Sequence, residues 1–250
     1  QKTAYEIYQC DLSSDVCSSD LAGRQAAVEA ERLEALRESA RQVAHELKNP
    51  LTPIRFAVAQ LKRTVGPELS EVVEVLDSES ARLEAMATSF AQFGRLPDGP
   101  VAEVEMGELV RTVCRTTVPA HVSCGVDVTE ALPHVRGQYD ALSRAVANIL
   151  LNAVQAIPRD PHLEVSVCLR RSSAGRAVVV AVRDNGIGIA PERLGSIWEP
   201  YVTDKTAGTG LGLAIVKQTV IAHGGSVEAE STLGVGTEIR LVLPAVQDQV

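Results

Sequence analysis

From Leu33 onward the apolar residues fall at Leu33, Leu36, Ala40, Val43 and Leu47, spaced alternately three and four apart. Residues at those spacings share one helical face, so the alternation reads as the seam of a coiled coil or bundle helix. The pattern resumes at Leu51, Ile54, Val58, Leu61 and Val65 after one shifted step beside Pro50. The hydrogen bond that proline cannot make predicts a bend or a local loosening there. Gly66-Pro67 ends the helix. A second run, Leu69, Val72, Leu76, Leu83, Met86, Phe90 and Phe93, repeats the spacing with one break at Glu79, and Gly94 and Pro97 close it. Two such helices make an antiparallel hairpin with more apolar seam than one partner can cover. Pairing two hairpins into a four-helix bundle solves the burial problem, so a homodimer is expected.

Beyond residue 100 the period changes. Strand-like alternation appears at Leu163, Val165, Val167 and Leu169, at Val178, Val180 and Val182, and at Ile239, Leu241 and Leu243. Helical stretches intervene near 107–118, 139–157 and 210–223, the second with a core stripe of Leu142, Val146, Ile149, Ala153 and Ile157. The expected class is α+β: a helical hairpin over 21–96, then an α/β sandwich over 103–247 with helices covering one sheet face. The joining segment 94–103, with Pro97, Gly99 and Pro100, is expected to let the second domain swing.

Composition narrows the picture. The chain has 250 residues, 45% of them apolar and only 3% aromatic, so its cores must rest on Val, Leu, Ile and Ala. A formal charge of −8 argues against general nucleic-acid binding, which needs a basic surface. No stretch approaches the roughly 18 apolar residues of a membrane-spanning helix, and no secretory signal is visible, so a cytoplasmic segment is expected. It is compatible with being the cytoplasmic part of an inner-membrane sensor. Cys10, Cys17, Cys114, Cys124 and Cys168 contain no Cys-x-x-Cys pair and suggest neither a zinc site nor a disulfide framework. Residues 10–21 nearly duplicate Ser-Ser-Asp without periodicity. Residues 1–20 are therefore expected to be a disordered tail or one foreign to the gene, since Ser-Ser-Asp-Leu resembles a translated sequencing-adapter fragment.

Chemistry enters at His45. It lies two residues from Val43 and two from Leu47, which points it off the seam toward solvent. Alone it would be an idle surface histidine. Its neighbours, His45-Glu46-Leu47-Lys48-Asn49-Pro50-Leu51-Thr52-Pro53-Ile54, resemble the phosphoacceptor box of two-component sensor histidine kinases, closest to their nitrogen-responsive branch. A free imidazole, with a pKa of about 6.5, is a competent neutral nucleophile at cellular pH. The adjacent carboxylate of Glu46 is placed to orient the ring tautomer. Asn49, four residues on, shares the helical face of His45, and the resemblance associates it with positioning water for dephosphorylation of the partner.

The second domain resembles the ATP-binding domain of the same family, the Bergerat fold. A polar stripe, Arg144, Asn148, Asn152 and Gln155, runs along the 139–157 helix, although asparagine is a poor helix former. Asn148-x-x-x-Asn152-Ala resembles the family's N box, which implies that the Asn152 oxygen ligates Mg²⁺. One or two oxygen ligands plus phosphates suit that hard cation. Asp184-Asn185-Gly186-Ile187-Gly188 follows a strand, and the resemblance implies that Asp184 accepts from the adenine amino group while Gly186 and Gly188 admit the nucleotide. Trp198-Glu199-Pro200-Tyr201 resembles the F box, with Tyr201 where phenylalanine is more common. Gly208-Thr209-Gly210-Leu211-Gly212-Leu213 opens a helix whose N–H groups face phosphates in the family. It lacks the Lys-Ser/Thr of a P-loop and departs from the dinucleotide fingerprint. Residues 202–207 form a short ATP lid in which Lys205 reaches toward the triphosphate. Gln155 replaces a basic residue of many relatives, so no phosphate contact is assigned to it.

The resemblance implies transfer of a phosphoryl group from ATP, with Mg²⁺, to His45, and then to an aspartate of a response regulator receiver domain. Two other readings stand at this stage. A gyrase-like or chaperone-like ATPase accounts for the nucleotide boxes but not for the hairpin with His45. A degenerate scaffold or phosphatase acting through Asn49 is opposed by the intact boxes.

Overall fold

A computed structural model of the chain describes residues 4–95, 99–157, 162–172, 175–203 and 208–246. It divides into two compact units, the first ending at Gly94 and the second beginning at Arg95.

The first unit is a helical hairpin: α1 (Ala4–Thr64), a single 3₁₀ turn (Pro67–Leu69) and α2 (Ser70–Phe93). The expectation of an unstructured tail over 1–20 is corrected for residues 4–20, which are helical. That stretch has neither glycine nor proline, so nothing breaks the hydrogen-bond ladder once the helix propagates. The helix also runs unbroken through Pro50 and Pro53. Each proline removes only its own N–H from the ladder.

Only part of the seam read from sequence is buried inside the hairpin, and residues outside that reading complete the buried face. Ala40, Ala44, Leu51 and Val58 of α1 and Val73, Ala87 and Phe93 of α2 are buried inside the hairpin, together with Ser80. Ala44, Leu51 and Val58 are seven residues apart, as are Val73, Ser80 and Ala87, which is one heptad position on each helix. Alanine at 40, 44 and 87 lets the two backbones approach closely. Val43, Ile54, Leu61, Leu69, Val72, Leu76 and Leu83 stay exposed along the hairpin. Two cross-hairpin ion pairs fix the register, Arg55 with Glu84 and Lys62 with Asp77, the second at 2.7 Å.

The second unit is a five-stranded sheet covered by helices, with a small two-stranded sheet at its margin. Its elements are β1 (Ala102–Val104), α3 (Met106–Thr117), β2 (Ser123–Val128), β3 (Val135–Gly137), α4 (Tyr139–Ala156), β4 (His162–Ser172), β5 (Gly175–Asp184), α5 (Pro191–Leu194), α6 (Gly212–Ala222), β6 (Ser226–Thr232) and β7 (Gly236–Pro244). The large sheet has the order β2-β4-β5-β7-β6, with β2 parallel to β4 and every other pair antiparallel. The short pair β1–β3 is antiparallel. Glu105 caps α3, its side chain accepting from the Glu108 N–H at 3.0 Å.

The core lies between the sheet and helices α3, α4 and α6. Leu109, Val110, Leu142, Val146, Ile149 and Leu150 interdigitate with Leu163, Val165, Val167, Val178, Val180, Val182, Leu241 and Leu243. Alternate residues of β4, β5 and β7 supply the inner face, as the period of two requires. On the outer face Arg170 makes a bidentate pair with Glu228, at 2.6 and 3.0 Å.

Because Leu142 is fully buried in this core, Leu142→Ala is expected to cost about 2–5 kcal/mol of stability. Leu151, on the same helix but exposed, is expected to tolerate alanine within about 0.5 kcal/mol. Urea denaturation followed by circular dichroism separates the two. Equal costs would mean that α4 lies on the sheet by a different face.

Candidate functional site

α4 presents its polar stripe because its apolar one is taken up by the core. With Leu142, Ala145, Val146, Ile149, Leu150 and Ala153 buried, Asn148 and Asn152 fall on the flank that faces α6. A side-chain carbon built on Gly212, the first residue of α6, would lie 3.5 Å from Asn152 Nδ2. The second glycine box therefore opens its helix beside the N box. The first N–H groups of α6 have no intrahelical acceptor, as at any helix N-terminus. Asn148 Nδ2 is buried and has no hydrogen-bond partner among the described residues. A buried amide left that way costs about 1–3 kcal/mol, and a ligand at this position would recover it.

Asp184 ends β5 at 8% exposure. Its Oδ1 accepts two backbone bonds, from Gly186 N–H at 2.8 Å and Thr237 N–H at 3.3 Å. Burial raises the pKa of this carboxyl above its usual range, and the two N–H bonds oppose the rise. Both of these bonds fall on one oxygen, Oδ1.

The loop after Asp184 is fastened on two sides. Ile187 N–H donates to Ala156 O at the end of α4 (3.0 Å), Gly234 N–H donates to Ile187 O (2.7 Å), and Ile189 N–H donates to Ser231 Oγ (2.8 Å). Gly186 and Gly188 are required here. A side chain on Gly186 would meet Ala156 O at 2.6 Å, and one on Gly188, whose φ is +68°, would collide with the Thr232 carbonyl. The F box and the second glycine box are joined as well, since Tyr201 N–H donates to Gly210 O at 3.0 Å. Tyr201 holds φ +67°, a conformation that costs a non-glycine residue about 1–2 kcal/mol. Gly208 and Thr209 are half-buried, and Thr209 Oγ1 accepts from Leu211 N–H at 3.4 Å. Lys205 lies outside the described residues.

Several of the expected site residues of the second unit lie beside one another; Lys205, outside the described residues, is not among them. Asn152 meets Gly212, Asp184 meets Gly186, the Gly186 loop meets the end of α4, and Tyr201 meets Gly210. Among the described residues no group of three or more His, Cys, Asp or Glu is placed to cage a metal. Three residues at the site escaped the sequence reading. Gly236 (φ +143°) crosses directly over the Asp184 carbonyl, Thr237 bonds Asp184, and Ser231 bonds Thr237. The run Gly234-Val235-Gly236-Thr237 was the available signal.

In the first unit His45, Glu46 and Asn49 are exposed on α1. The Glu46 carboxylate accepts from Gln42 Nε2 at 2.9 Å, one turn earlier.

Comparison with known proteins agrees with this geometry. The family described as histidine kinase-, DNA gyrase B-, and HSP90-like ATPase matches residues 137–247, and the His Kinase A (phospho-acceptor) domain matches residues 35–99. The nitrogen regulation protein NtrY of Azorhizobium caulinodans is 33% identical over 231 residues, covering 87% of this chain and 30% of NtrY. The sensor histidine kinase ZraS of Escherichia coli is 32% identical over 220 residues, covering 86% of this chain and 46% of ZraS. The chain therefore spans about a third to a half of these relatives. Among solved structures, full-length ShkA in complex with AMPPNP superposes with a TM-score of 0.71 at 26% identity, covering 85% of this chain and 47% of ShkA. The mycobacterial sensor histidine kinase MprB gives 0.51 at 29% identity, covering 58% of this chain and 98% of that one.

The raised pKa of Asp184 has a consequence for stability. An acid whose folded pKa exceeds its unfolded value imposes a penalty that is fully present above the folded pKa and vanishes below the unfolded one. Asp184→Asn keeps an oxygen for the Gly186 and Thr237 amides without the charge. It is expected to melt at or above the parent temperature near neutral pH, with the gap closing as pH falls through the folded pKa. Differential scanning calorimetry against pH reads this directly. A variant less stable at neutral pH would show that the ionised carboxylate is a net support.

Proposed function

Since this chain belongs to the two-component sensor histidine kinases, we propose that it transfers the γ-phosphoryl group of ATP to its own His45 and then passes it to an aspartate on a response regulator receiver domain. An imidazole nitrogen of His45 attacks the γ-phosphorus as the bond to the β–γ bridging oxygen breaks, and ADP leaves. There is little covalent chemistry for the protein to perform, so positioning and charge neutralisation dominate.

Each residue has a role in this reading. The Asp184 carboxylate accepts from the adenine amino group at the floor of the site. Gly186 and Gly188 let the base approach the backbone, and Asn148 supplies the amide that lacks a partner. Gly208, Thr209, Gly210, Leu211 and Gly212 offer N–H groups to the phosphates at the start of α6. Asn152 would hold the nucleotide's Mg²⁺, which would supply neutralisation of phosphate charge. Tyr201 anchors the near end of the lid through Gly210, and Lys205 is assigned a triphosphate contact from the sequence motif alone. In the hairpin, Glu46 orients the His45 ring and Asn49 positions water for dephosphorylating the regulator. The observation that carries the reading is the meeting of Asn152, the N-terminus of α6 and the loop of buried Asp184 in a chain that also bears an exposed His45 in its phosphoacceptor sequence.

The hairpin's exposed Val72, Leu76 and Leu83 support a homodimer in which a second copy covers them. No helix among the described residues is long and apolar enough to cross a membrane. We place the chain on the cytoplasmic side, as part of a longer sensor that includes any membrane anchor.

Incubation with radiolabelled Mg-ATP tests the chemistry. Acid-labile, alkali-stable label is expected on the parent and is expected to be absent from His45→Gln and Asn152→Ala. Label that survives His45→Gln would put the acceptor elsewhere. For the dimer, Leu76→Glu combined with Leu83→Glu is expected to halve the mass measured by light scattering while leaving helix content unchanged. A persistent dimer would mean that another face joins the copies.

A further inference from the structure

Asp184 is backed by a second layer of hydrogen bonds. Ser231, half-buried on β6, places its Oγ 2.8 Å from Ile189 N, 2.9 Å from Gly236 O and 2.9 Å from Thr237 Oγ1. A serine hydroxyl donates one proton and accepts two. The Ile189 amide can only donate to it and the Gly236 carbonyl can only accept from it. The third contact must therefore be closed by the Thr237 hydroxyl, which donates its proton to Ser231. One arrangement of protons satisfies the whole set. One side chain thereby ties the loop after Asp184 to the start of β7, where Gly236 crosses the Asp184 carbonyl and the Thr237 amide reaches Asp184 Oδ1.

We propose that Ser231 is a positioning residue for nucleotide recognition, its hydroxyl holding the Gly236–Thr237 backbone and the 186–189 loop in the register that turns the second oxygen of Asp184 toward the amino group of adenine. The proposal rests on the reading of Asp184 as the adenine acceptor. Ser231→Ala would leave Ile189 N–H and Gly236 C=O without their shared partner. The contact from Thr237 N–H to Asp184, already 3.3 Å long, is the weakest tie in the set and loosens first. That bond is one of two holding the Asp184 carboxyl down against burial. Losing it lets the carboxyl protonate at higher pH, in the form that cannot serve as an anionic acceptor.

The test measures binding of ATP and of inosine triphosphate, which carries an oxygen where adenine has its amino group, to the full chain by calorimetry across the acid range. Ser231→Ala is expected to weaken ATP roughly tenfold, the equivalent of one lost buried hydrogen-bond partner. It should also move the acid limb of ATP binding to higher pH and leave inosine triphosphate nearly unchanged. Ser231→Thr keeps the hydroxyl and is expected to restore ATP binding. If Ser231→Ala does not fold, Thr237→Val, which retains the backbone amide, carries the test with a smaller change in the same direction. Equal weakening of both nucleotides, or an unmoved ATP affinity and acid limb, would overturn the proposal. A parent chain whose ATP binding survives Asp184→Asn would instead remove the adenine reading itself, and this proposal with it.

Discussion

The nucleotide-side geometry depends on how α4 is seated. Its apolar stripe locks against the sheet with Leu142, Val146 and Leu150 at essentially zero exposure, and this fixes the rotation of the helix about its axis. In an α-helix one residue corresponds to about 100°, so a slip of one position would turn Asn148 and Asn152 away from α6. The packing of α6 against the same helix then sets where its first N–H groups emerge. Burial of ordinary hydrocarbon, worth roughly 25 cal/mol per Å², thereby aims side chains that contribute nothing to the core themselves.

The second constraint is closeness of backbones. Gly186 sits against the end of α4, Gly188 against Thr232, Gly210 against Tyr201 and Gly236 against Asp184. At each of these crossings two stretches of main chain touch directly, and a β-carbon would force them apart. The loops are held by the segments they touch rather than by side-chain packing of their own. Asp184 gains a pair of N–H donors from this arrangement without any cationic partner.

Much of this was legible in the sequence, for identifiable reasons. The 3.6-residue and two-residue periods revealed α3, α4, α6, β4, β5 and β7 because those elements are long and face a shared core. The strands β1, β2, β3 and β6 were not read. β1 and β3 have three residues each, too short to display a period, and β2 and β6 lie at the sheet edges, where no residue is fully buried. The heptad seam was visible only in part: Ala40, Leu51, Val58 and Phe93 of the buried face were read, while Ala44, Val73, Ser80 and Ala87 were not. Ala44 is what the inner face turns on, and an alanine carries little hydrophobic signal. The site motifs were read from their order along the chain. Ser231, Gly236 and Thr237 escaped because they act on Asp184 from more than forty residues away, through registers that only the β5–β7 and β6–β7 pairings create.

The parallel pairing of β2 with β4 shapes how the molecule is assembled. Ser123 lies opposite His162, and β3 and α4 must both be laid down between them before the two strands can meet. Closing such a loop commits chain entropy before any contact repays it. The hairpin, by contrast, joins α1 and α2 through a turn of a few residues, so its pairing can begin beside the turn, where Lys62 meets Asp77, and propagate outward. Topology of that kind folds faster. Its apolar outer face is then presented to solvent, and to other copies, while the catalytic sheet is still incomplete. A face of that kind is open to pairing before the larger sheet is complete, and the two units differ in this respect.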